Sequence, residues 1–205
     1  MCELFFDFQQ GSAEWFEHRR GIPTASNFHK VIASGKSGGE SKQRLEYMRD
    51  LAGEQNSRLL TESYSNIHME RGRIMEAEAR ELYRLLADDD VRTVGLMRNL
   101  IAAGSPDALV GNNGILEIKT AMPRVLYPIL EADRFPPEHV AQCQGNLWIG
   151  EREWCDLIVF WPGHKLFKKR VHRNEGYIKM LADEVGLFAY EVGKLAEKHK
   201  AGSTT

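Results

Sequence analysis

The sequence contains few cysteines and no cysteine motif. Its 205 residues include three cysteines, Cys2, Cys143 and Cys155, which lie far apart along the chain and never form a Cys-x-x-Cys pair. A disulfide framework and a zinc site both require closely patterned sets of cysteines. We therefore expect a reducing compartment, and the sequence predicts neither a disulfide scaffold nor a zinc site.

Long apolar runs and a strong charge of one sign are also missing. No apolar run approaches the roughly 20 residues that a membrane-spanning helix needs, and the segment MCELFFDF lacks the basic residues of a signal peptide. The formal net charge is −2 at pH 7, so binding to nucleic acid through bulk charge is not expected and any phosphate contact must use local basic groups. The composition predicts a cytoplasmic protein without a membrane span.

Helical and strand patterns fill the rest of the chain. With 42% apolar residues, 205 residues suffice for one packed core. We expect a single domain over residues 1–205, with a mainly helical part at about 12–86 and a sheet with further helices at about 91–200. The pattern predicts helices at about 12–20, 23–34, 41–60, 65–86, 124–132, 137–149 and 174–198, and strands at 91–96, 99–103, 108–110, 115–120, 154–161 and 166–172. This order predicts an α/β fold with a central mixed sheet flanked by helices.

One of the predicted helices, at about 65–86, places a glutamate beside its apolar side. At about 100° per residue, the apolar residues of this segment fall in one arc, and Glu76 stands at the edge of that arc. We expect the arc to be buried and Glu76 to lie unusually close to the core. The arc consists of Ile67, Ile74, Met75, Leu82, Leu85 and Leu86.

The segment SPDALVGNNGILEIKT, residues 105–120, predicts a hairpin with charged residues at positions that are usually apolar. Alternation along the second strand puts Glu117 and Lys119 on one face, about 6.6 Å apart. A further carboxylate, Asp107, precedes the first strand. The hairpin therefore carries two carboxylates and an ammonium group close together in sequence.

The turn of this hairpin determines the face on which Asp107 lies. A two-residue turn at 112–113 pairs Asp107 with Ile118 and sends its carboxylate to the opposite face. A three-residue turn that includes Gly114 pairs Asp107 with Lys119 and brings all the charged groups together. Three-residue turns end in a left-handed residue, which glycine supplies without steric cost. We predict a three-residue or bulged turn with Gly114 at positive φ.

Such a cluster is typical of metal-assisted phosphodiester hydrolysis. Hard oxygen ligands suit Mg²⁺ or Mn²⁺, and Lys119 can orient or deprotonate the attacking water. The competing interpretation is an exposed ion pair between Glu117 and Lys119, since the same triplet also occurs at Glu40 and Lys42. The apolar context of strand 115–118 favours the metal site, because buried charges are costly without a role.

The turn GIPTAS, residues 21–26, indicates an anion site together with Arg19. The free N–H groups and hydroxyls at the start of a helix, including that of Ser26, form a cradle for phosphate. Arg19 can add a bidentate contact. The alternatives are a surface salt bridge of Arg19 with Glu14 or Glu17 and a plain helix cap at Ser26.

These residues together resemble the signature of the PD-(D/E)xK nucleases, with Pro106-Asp107 followed by Glu117-x-Lys119. The chain is similar in particular to the YqaJ-type viral recombinases, the alkaline exonuclease family typified by bacteriophage lambda exonuclease. Further motifs in the family's order are EWFEHRRGIPTASNFHKVI, RGRIMEAEARELY and HVAQCQGNLWI, so the similarity runs over about 15–188. The resemblance implies a restriction-endonuclease-like core with a central mixed sheet.

The same resemblance implies an activity and partners. It implies an Mg²⁺-dependent exonuclease, with Mn²⁺ able to substitute, that degrades one strand of linear double-stranded DNA in the 5′ to 3′ direction from 5′-phosphorylated ends. The 3′ single strands that remain would serve phage-type annealing recombination with a single-strand annealing protein. A ring-shaped homotrimer in the cytoplasm of a bacterial host, encoded by a phage or prophage, is also implied.

Individual roles follow from the resemblance. The metal ligands would be Asp107, Glu117, Glu76 and the carbonyl of Ile118. Lys119 would act on the attacking water and Gln142 would support the site, while the 5′-phosphate would be held by Arg19, Ser26 and Ser105. Related nucleases often carry an aromatic residue four positions after the glutamine.

The choice of glutamine stays open at this point. Gln144 is followed by Trp148 at the expected spacing, whereas Gln142 is followed by Asn146.

Two rival functions remain. One is an endonuclease or junction resolvase of the same fold, and the other is a DNA-binding module with a degenerate site. An iron–sulfur relative is disfavoured because the sequence has no set of four cysteines.

Overall fold

The computed structural model describes residues 1–35, 39–57 and 67–201, with the backbone alone at 67–71 and 73. The predicted end of one helix near residue 60 and the start of the next near 65 lie outside these ranges. The helices are α1 (Ala13–Arg19), α2 (Phe28–Val31), α3 (Lys42–Asn56), α4 (Ile67–Leu86), α5 (Pro123–Ala132), α6 (Val140–Ile149) and α7 (Glu175–Lys198). The strands are β1 (Glu3–Phe5), β2 (Val91–Arg92), β3 (Leu96–Arg98), β4 (Ala103–Gly104), β5 (Ala108–Val110), β6 (Gly114–Thr120), β7 (Trp154–Phe160) and β8 (Phe167–His172).

The main sheet has the strand order β2-β5-β6-β7-β8. β6 and β7 run parallel, whereas the other neighbours in this sheet are antiparallel. The sheet is therefore mixed, as predicted. A parallel pair requires a crossover connection, and α5 and α6 provide it. The crossover brings α6 back over β6, the strand that carries the charged triplet.

Helices cover both faces of the main sheet, and alternation along β6 distributes its residues between them. Leu116 and Ile118 belong to a buried cluster with Tyr83 of α4. Ile115 belongs to the larger cluster that includes residues of α6 and α7. Glu117 shares the parity of Ile115, so its side chain lies on the α6 side of the sheet.

A smaller sheet, with the order β1-β3-β4, corrects two of the strand predictions. The predicted strand 91–96 is split, because β2 joins the main sheet and β3 the smaller one. The predicted strand 99–103 is wrong. Asn99 Oδ1 accepts hydrogen bonds from the N–H groups of Ile101 and Ala102, which stabilises a turn in place of an extended strand.

The apolar arc of α4 is not buried as expected. Leu85 is 83% exposed and Leu86 64% exposed. The side of α4 that faces the sheet carries Ala79 and Tyr83, which are buried. Glu76 precedes Ala79 by three residues, so it lies on this inward side. In the described ranges, no helix is long and apolar enough to cross a membrane.

Candidate active site

The hairpin of β5 and β6 turns through residues 111–113, and Val110 pairs with Gly114. The predicted length of three residues is confirmed, but the turn comprises residues 111–113 rather than 112–114 and the predicted conformation of Gly114 is wrong. Gly111 takes the left-handed position, with φ of 51°. Gly114 instead begins β6 beneath an indole ring, since an added Cβ would lie 2.2 Å from Trp154.

The register of the hairpin differs from the predicted pairing of Asp107 with Lys119. Ala108 pairs with Leu116, so Asp107 lies opposite Glu117 at the next position. A shift of two residues preserves the face of every side chain, because the side-chain period of a strand is two. Asp107 and Glu117 therefore still lie on one side of the hairpin, as the sequence predicts.

Asp107 is held by the backbone and faces two other carboxylates. Its Oδ2 accepts a hydrogen bond of 2.7 Å from the backbone N–H of Ile118. Burial, followed by the charges of Glu117 and Glu76, raises the pKa of Asp107 well above its ordinary value, although the Ile118 hydrogen bond and the charge of Lys119 act in the opposite direction. A bound cation would relieve this repulsion.

Glu117 is 3% exposed, and both of its oxygens are engaged. Oε1 accepts hydrogen bonds from Lys119 Nζ, at 2.9 Å, and from Gln142 Nε2. Oε2 accepts one from Asn146 Nδ2 at 3.2 Å. The carboxylate is thus fixed by its own strand on one side and by α6 on the other.

The structure brings Gln142 rather than Gln144 to this carboxylate. Gln144 Nε2 donates to the carbonyl of His172 at 2.9 Å, and its Oε1 accepts from the backbone N–H of Asn174 at 3.0 Å. Gln144 therefore links β8 to the start of α7. The crossover helix contributes Gln142 to the cleft.

The ammonium group of Lys119 is partly buried, with 30% of its side chain exposed. Burial lowers the pKa of Lys119, but the charge and hydrogen bond of Glu117 and the charge of Asp107 outweigh it, so the pKa lies above its ordinary value. Lys119 is accordingly a cation in the protein without bound metal.

Glu76 reaches the same cleft from α4. Its Oε1 lies 3.9 Å from the point where a Cβ of Gly72 would stand, so the side chain runs back toward the start of the helix, as helical side chains do. Gly72, the glycine of the RGRIMEAEARELY motif, therefore lies next to this carboxylate.

A second group of polar residues lies at the end of α1. Trp15 Nε1 donates a hydrogen bond of 2.8 Å to Ser105 Oγ, and the guanidinium of Arg19 stacks on the Trp15 ring at 4.1 Å. Ser26 is exposed and lies two residues after Thr24. The hydroxyl oxygens of these two residues are 3.3 Å apart. Arg19, Ser26 and Ser105 all line one cleft.

The predicted helix at about 23–34 is shorter than expected. It consists of a 3-10 turn, Ala25–Asn27, followed by the four residues of α2, and Thr24 makes no side-chain cap to a backbone N–H. A helix dipole therefore contributes little here, and the predicted anion site depends on side chains. Glu17, one suggested partner of Arg19, forms an ion pair with Arg20.

One cleft of about 210 Å³ joins the two groups. The carboxylates of Asp107, Glu117 and Glu76, which we call its acidic end, line this cleft together with Arg19 and the hydroxyl groups of Ser26 and Ser105. The cleft is lined by Gln10, Trp15, Arg19, Thr24, Ala25, Ser26, Glu76, Gly104, Ser105, Asp107, Glu117, Ile118, Lys119, Gln142 and Asn146.

The acidic end has the donor chemistry that Mg²⁺ prefers. Within the described ranges, no three side chains of His, Cys, Asp or Glu form a group that could hold a metal ion by themselves. Mg²⁺ is usually bound by one or two carboxylates, with water and substrate phosphate as the other ligands. The pair of Asp107 and Glu117 beside the backbone of Ile118 fits this pattern.

Sequence reasoning missed Asn146 as a component of the site. Residues four apart on a helix lie on the same side, so Gln142 and Asn146 of α6 face β6 together. An amide one turn after Gln142, on the same side of the helix, is the signal that identifies it.

Comparisons with known proteins agree with this geometry. The sequence pattern of the YqaJ-like viral recombinase domain family matches residues 14–153. The chain belongs to this family. A search of curated proteins found no significant match.

Solved structures of exonucleases share the fold of this family member. The alkaline exonuclease LHK-Exo from Laribacter hongkongensis is 27% identical, with a TM-score of 0.82 over 91% of this chain and 95% of that chain. Its complex with dAMP matches equally well. The phage related exonuclease from Haemophilus somnus 129PT, at 14% identity and a TM-score of 0.60 over 86% of this chain and 94% of that chain, shows a common fold. The predicted family, the PD-(D/E)xK-type fold and the assignment as an exonuclease are confirmed.

Proposed function

We propose that the protein is an Mg²⁺-dependent exonuclease that degrades one strand of linear double-stranded DNA from 5′-phosphorylated ends, in the 5′ to 3′ direction. The observation that carries this proposal is the single cleft that is lined both by carboxylates and by Arg19 with hydroxyl groups. A metal-assisted hydrolase needs the first group, and a terminal phosphate is bound by the second.

In this proposal Asp107 and Glu117 bind the metal, the carbonyl of Ile118 assists, and Glu76 adds a carboxylate from α4. The bound Mg²⁺, for which Mn²⁺ can substitute, neutralises charge on the scissile phosphate and activates water. Lys119, whose Nζ lies 2.9 Å from Glu117 Oε1, orients the attacking water.

Gln142 supports the site by holding the Glu117 side chain in place. Its amide donates to Glu117 Oε1, and the crossover helix α6 fixes its position.

The second group of residues in the cleft, Arg19 with the hydroxyl groups, determines the polarity of digestion. Arg19, Ser26 and Ser105 hold the 5′-phosphate, and the stacking of Arg19 on Trp15 fixes the guanidinium plane. Because the phosphate is held at one point, the first phosphodiester bond is presented to the acidic end. One similar structure is a complex of the Laribacter protein with dAMP, and we propose that this chain likewise binds a deoxynucleoside monophosphate.

The same proposal includes assembly and a biological role. The exposed apolar side chains of α4, Ile74, Leu82, Leu85 and Leu86, are suited to contact a second copy of the chain in a ring-shaped homotrimer. The 3′ single strands left by digestion would pass to a phage single-strand annealing protein. The site of action would be the cytoplasm of a bacterial host, where the chain acts as a phage or prophage protein.

A digestion assay tests the proposal. A linear duplex with one 5′-phosphorylated end is incubated with Mg²⁺, beside an EDTA control, an unphosphorylated duplex and a covalently closed circle. We expect mononucleotides from the phosphorylated strand alone and no cleavage of the circle. Cleavage of the circle would establish an endonuclease or junction resolvase, and DNA binding without cleavage under any condition would establish a degenerate binding module.

A matched pair of arginine variants tests the phosphate end. Arg19→Ala should lower the preference for the phosphorylated end by roughly 10- to 150-fold, consistent with loss of a charge-assisted hydrogen bond worth about 1.5 to 3 kcal/mol. Arg20→Ala removes a neighbouring guanidinium that pairs with Glu17 and should leave the preference intact. If the two variants showed the same preference for the phosphorylated end, the 5′-phosphate would not be bound by Arg19.

A further inference from the structure

The two oxygens of Glu117 are not equivalent. Oε1 accepts two hydrogen bonds, from Lys119 and Gln142, whereas Oε2 accepts one, from Asn146. A carboxylate offers about two acceptor positions on each oxygen. Among the hydrogen bonds of the described residues, Oε1 is therefore saturated and Oε2 keeps one position for a further ligand.

Asn146 is buried, at 1% exposure, and lines the cleft. Its Nδ2 donates to Glu117 Oε2, so the amide orientation is fixed. The reversed amide would place two oxygens against each other. In this orientation Asn146 Oδ1 is buried and has no hydrogen-bond partner in the part of the chain that the structure describes. A buried acceptor without a partner costs stability, so its retention beside the cleft calls for an explanation.

Gly104 of β4 provides the space for this oxygen. A Cβ on Gly104 would stand 2.3 Å from Asn146 Oδ1, which is too close for any real contact. The φ of Gly104 is not in the left-handed region, so the backbone does not require glycine. The missing side chain is needed because the amide of Asn146 occupies its place.

We propose that Asn146 is a positioning residue of the metal site, an inference that rests on the metal-dependent function proposed above. Its Nδ2 holds Glu117 so that the remaining acceptor position of Oε2 is available to a divalent cation. Gly104 leaves the space that the Asn146 amide needs for this contact.

Loss of such a supporting contact lowers metal affinity in a characteristic range. Removal of outer partners of metal ligands typically costs 10- to 100-fold in metal affinity. We therefore expect Asn146→Ala to weaken Mn²⁺ binding by about that factor, with Asp107 and Glu117 still present.

Titration calorimetry with Mn²⁺ alone, in the absence of DNA, measures this affinity. The matched control is Gln144→Ala, which removes another buried amide from the same helix whose hydrogen bonds go to the β8–α7 connection. Urea denaturation in EDTA reports the stability of both variants. We expect both to lose stability and Asn146→Ala alone to lose Mn²⁺ affinity. An equal loss of affinity in both would overturn the proposal, since it would reflect general destabilisation.

Gly104→Ala is a second, independent variant. The added methyl group displaces the Asn146 amide, so Mn²⁺ affinity should fall although Asn146 is present. In the Asn146→Ala background the methyl group meets no amide, so the double variant should bind Mn²⁺ as Asn146→Ala does. Additive losses would show that Gly104 acts independently and would refute the role assigned to it.

Glu117→Gln separates this inference from the function on which it rests. If the wild-type protein binds Mn²⁺ and Glu117→Gln does not, the metal site is established, and an unchanged affinity of Asn146→Ala then overturns the positioning role alone. If the wild-type protein fails to bind Mn²⁺, the metal-dependent function itself is overturned.

Discussion

Two buried carboxylates on neighbouring strands show how environment separates a structural charge from a candidate catalytic one. Glu117 of β6 is 3% exposed and Asp156 of β7 is 0% exposed. Asp156 aligns with Leu116 in the parallel ladder and therefore lies on the α4 side of the sheet, whereas Glu117 lies on the α6 side. Burial and strand type are alike, so the partners make the difference.

The partners of Asp156 compensate its charge fully. Tyr83 Oη donates at 2.7 Å, Arg170 donates two hydrogen bonds at 2.7 and 2.9 Å, and Lys168 Nζ lies at 3.2 Å. Burial favours the neutral acid, but the hydrogen bonds from Arg170 and Tyr83 and the charge of Lys168 lower the pKa of Asp156 below its ordinary value.

At the other cluster, the pKa of Asp107 is raised by burial and by two facing carboxylates. A compensated carboxylate stabilises the fold, whereas three carboxylates around the cation of Lys119 keep an excess of negative charge that is suited to bind a metal ion.

The largest expected contrast lies between two lysines. Lys119→Ala should lower nuclease activity by roughly 10²- to 10⁴-fold, the range for groups that act on the attacking water. Lys168→Ala removes the corresponding lysine from Asp156 and should leave activity near the wild-type value. Initial rates on a linear duplex measure both. Similar rates for the two variants would show that the lysine beside Glu117 contributes no more to cleavage than the lysine beside Asp156.

The next effect concerns stability. Asp156→Asn should lower the free energy of unfolding by about 2 kcal/mol, less than for a fully buried ion pair, because the side chains of Arg170 and Lys168 are 42% and 38% exposed. Urea denaturation in EDTA measures the change. An unchanged stability would mean that the buried ion pair gives no net stabilisation.

The pH dependence of this difference follows from the lowered pKa of Asp156. The ionised carboxylate is favoured in the folded protein, so its contribution is complete above the unfolded pKa of about 3.9 and is lost as the pH falls through the lower folded pKa. The stability difference between wild type and Asp156→Asn should therefore shrink below about pH 4. If the stability difference stayed constant across this pH range, it would arise from packing rather than from the charge of Asp156.

Asp107→Asn should change the stability in the opposite direction and raise the free energy of unfolding. Removal of this charge relieves repulsion with Glu117 and Glu76, and the asparagine oxygen can still accept the hydrogen bond from Ile118. We expect a gain of about 1 kcal/mol in EDTA, or about 2 to 4 °C in Tm for a chain of this size, with loss of cleavage. A lower Tm would show that Asp107 is structural, like Asp156.

The smallest effect is expected at Tyr83. Tyr83→Phe removes one of the hydrogen bonds to Asp156 and leaves those of Arg170, so it should cost about 1 kcal/mol in stability with little change in nuclease rate. Thermal unfolding and the same rate assay measure both quantities. A large fall in the nuclease rate would show that the Asp156 cluster on one face of the sheet affects the active site on the other face.

Local sequence pattern was sufficient for the features set by short-range geometry. The Gly and Asn residues at 111–114 determine the three-residue turn, and strand alternation places Asp107, Glu117 and Lys119 on one side of the hairpin. The register itself was wrong by two residues, because the choice between Gly111 and Gly114 as the left-handed residue depends on Trp154, which packs over Gly114 from a different strand.

Features that depend on tertiary packing could not be predicted in this way. Helical periodicity predicts that the large apolar residues of α4, rather than Ala79 and Tyr83, face the core. In the structure, Ala79 and Tyr83 with its hydroxyl group pack against the sheet instead. The roles of Gln142 and Gln144 depend on how the crossover returns over the sheet. Strands of two residues, such as β2 and β4, are too short to produce a period.

The parallel alignment of β6 and β7 has a consequence for the order in which the cleft is completed. Glu117 is synthesised well before Gln142 and Asn146, which reach it only after the intervening crossover has folded back onto the sheet. A nascent or truncated chain that ends before α6 lacks the two amides that hold Glu117. We therefore expect competence to cut DNA to arise late in biogenesis, after the crossover helix has packed onto the sheet.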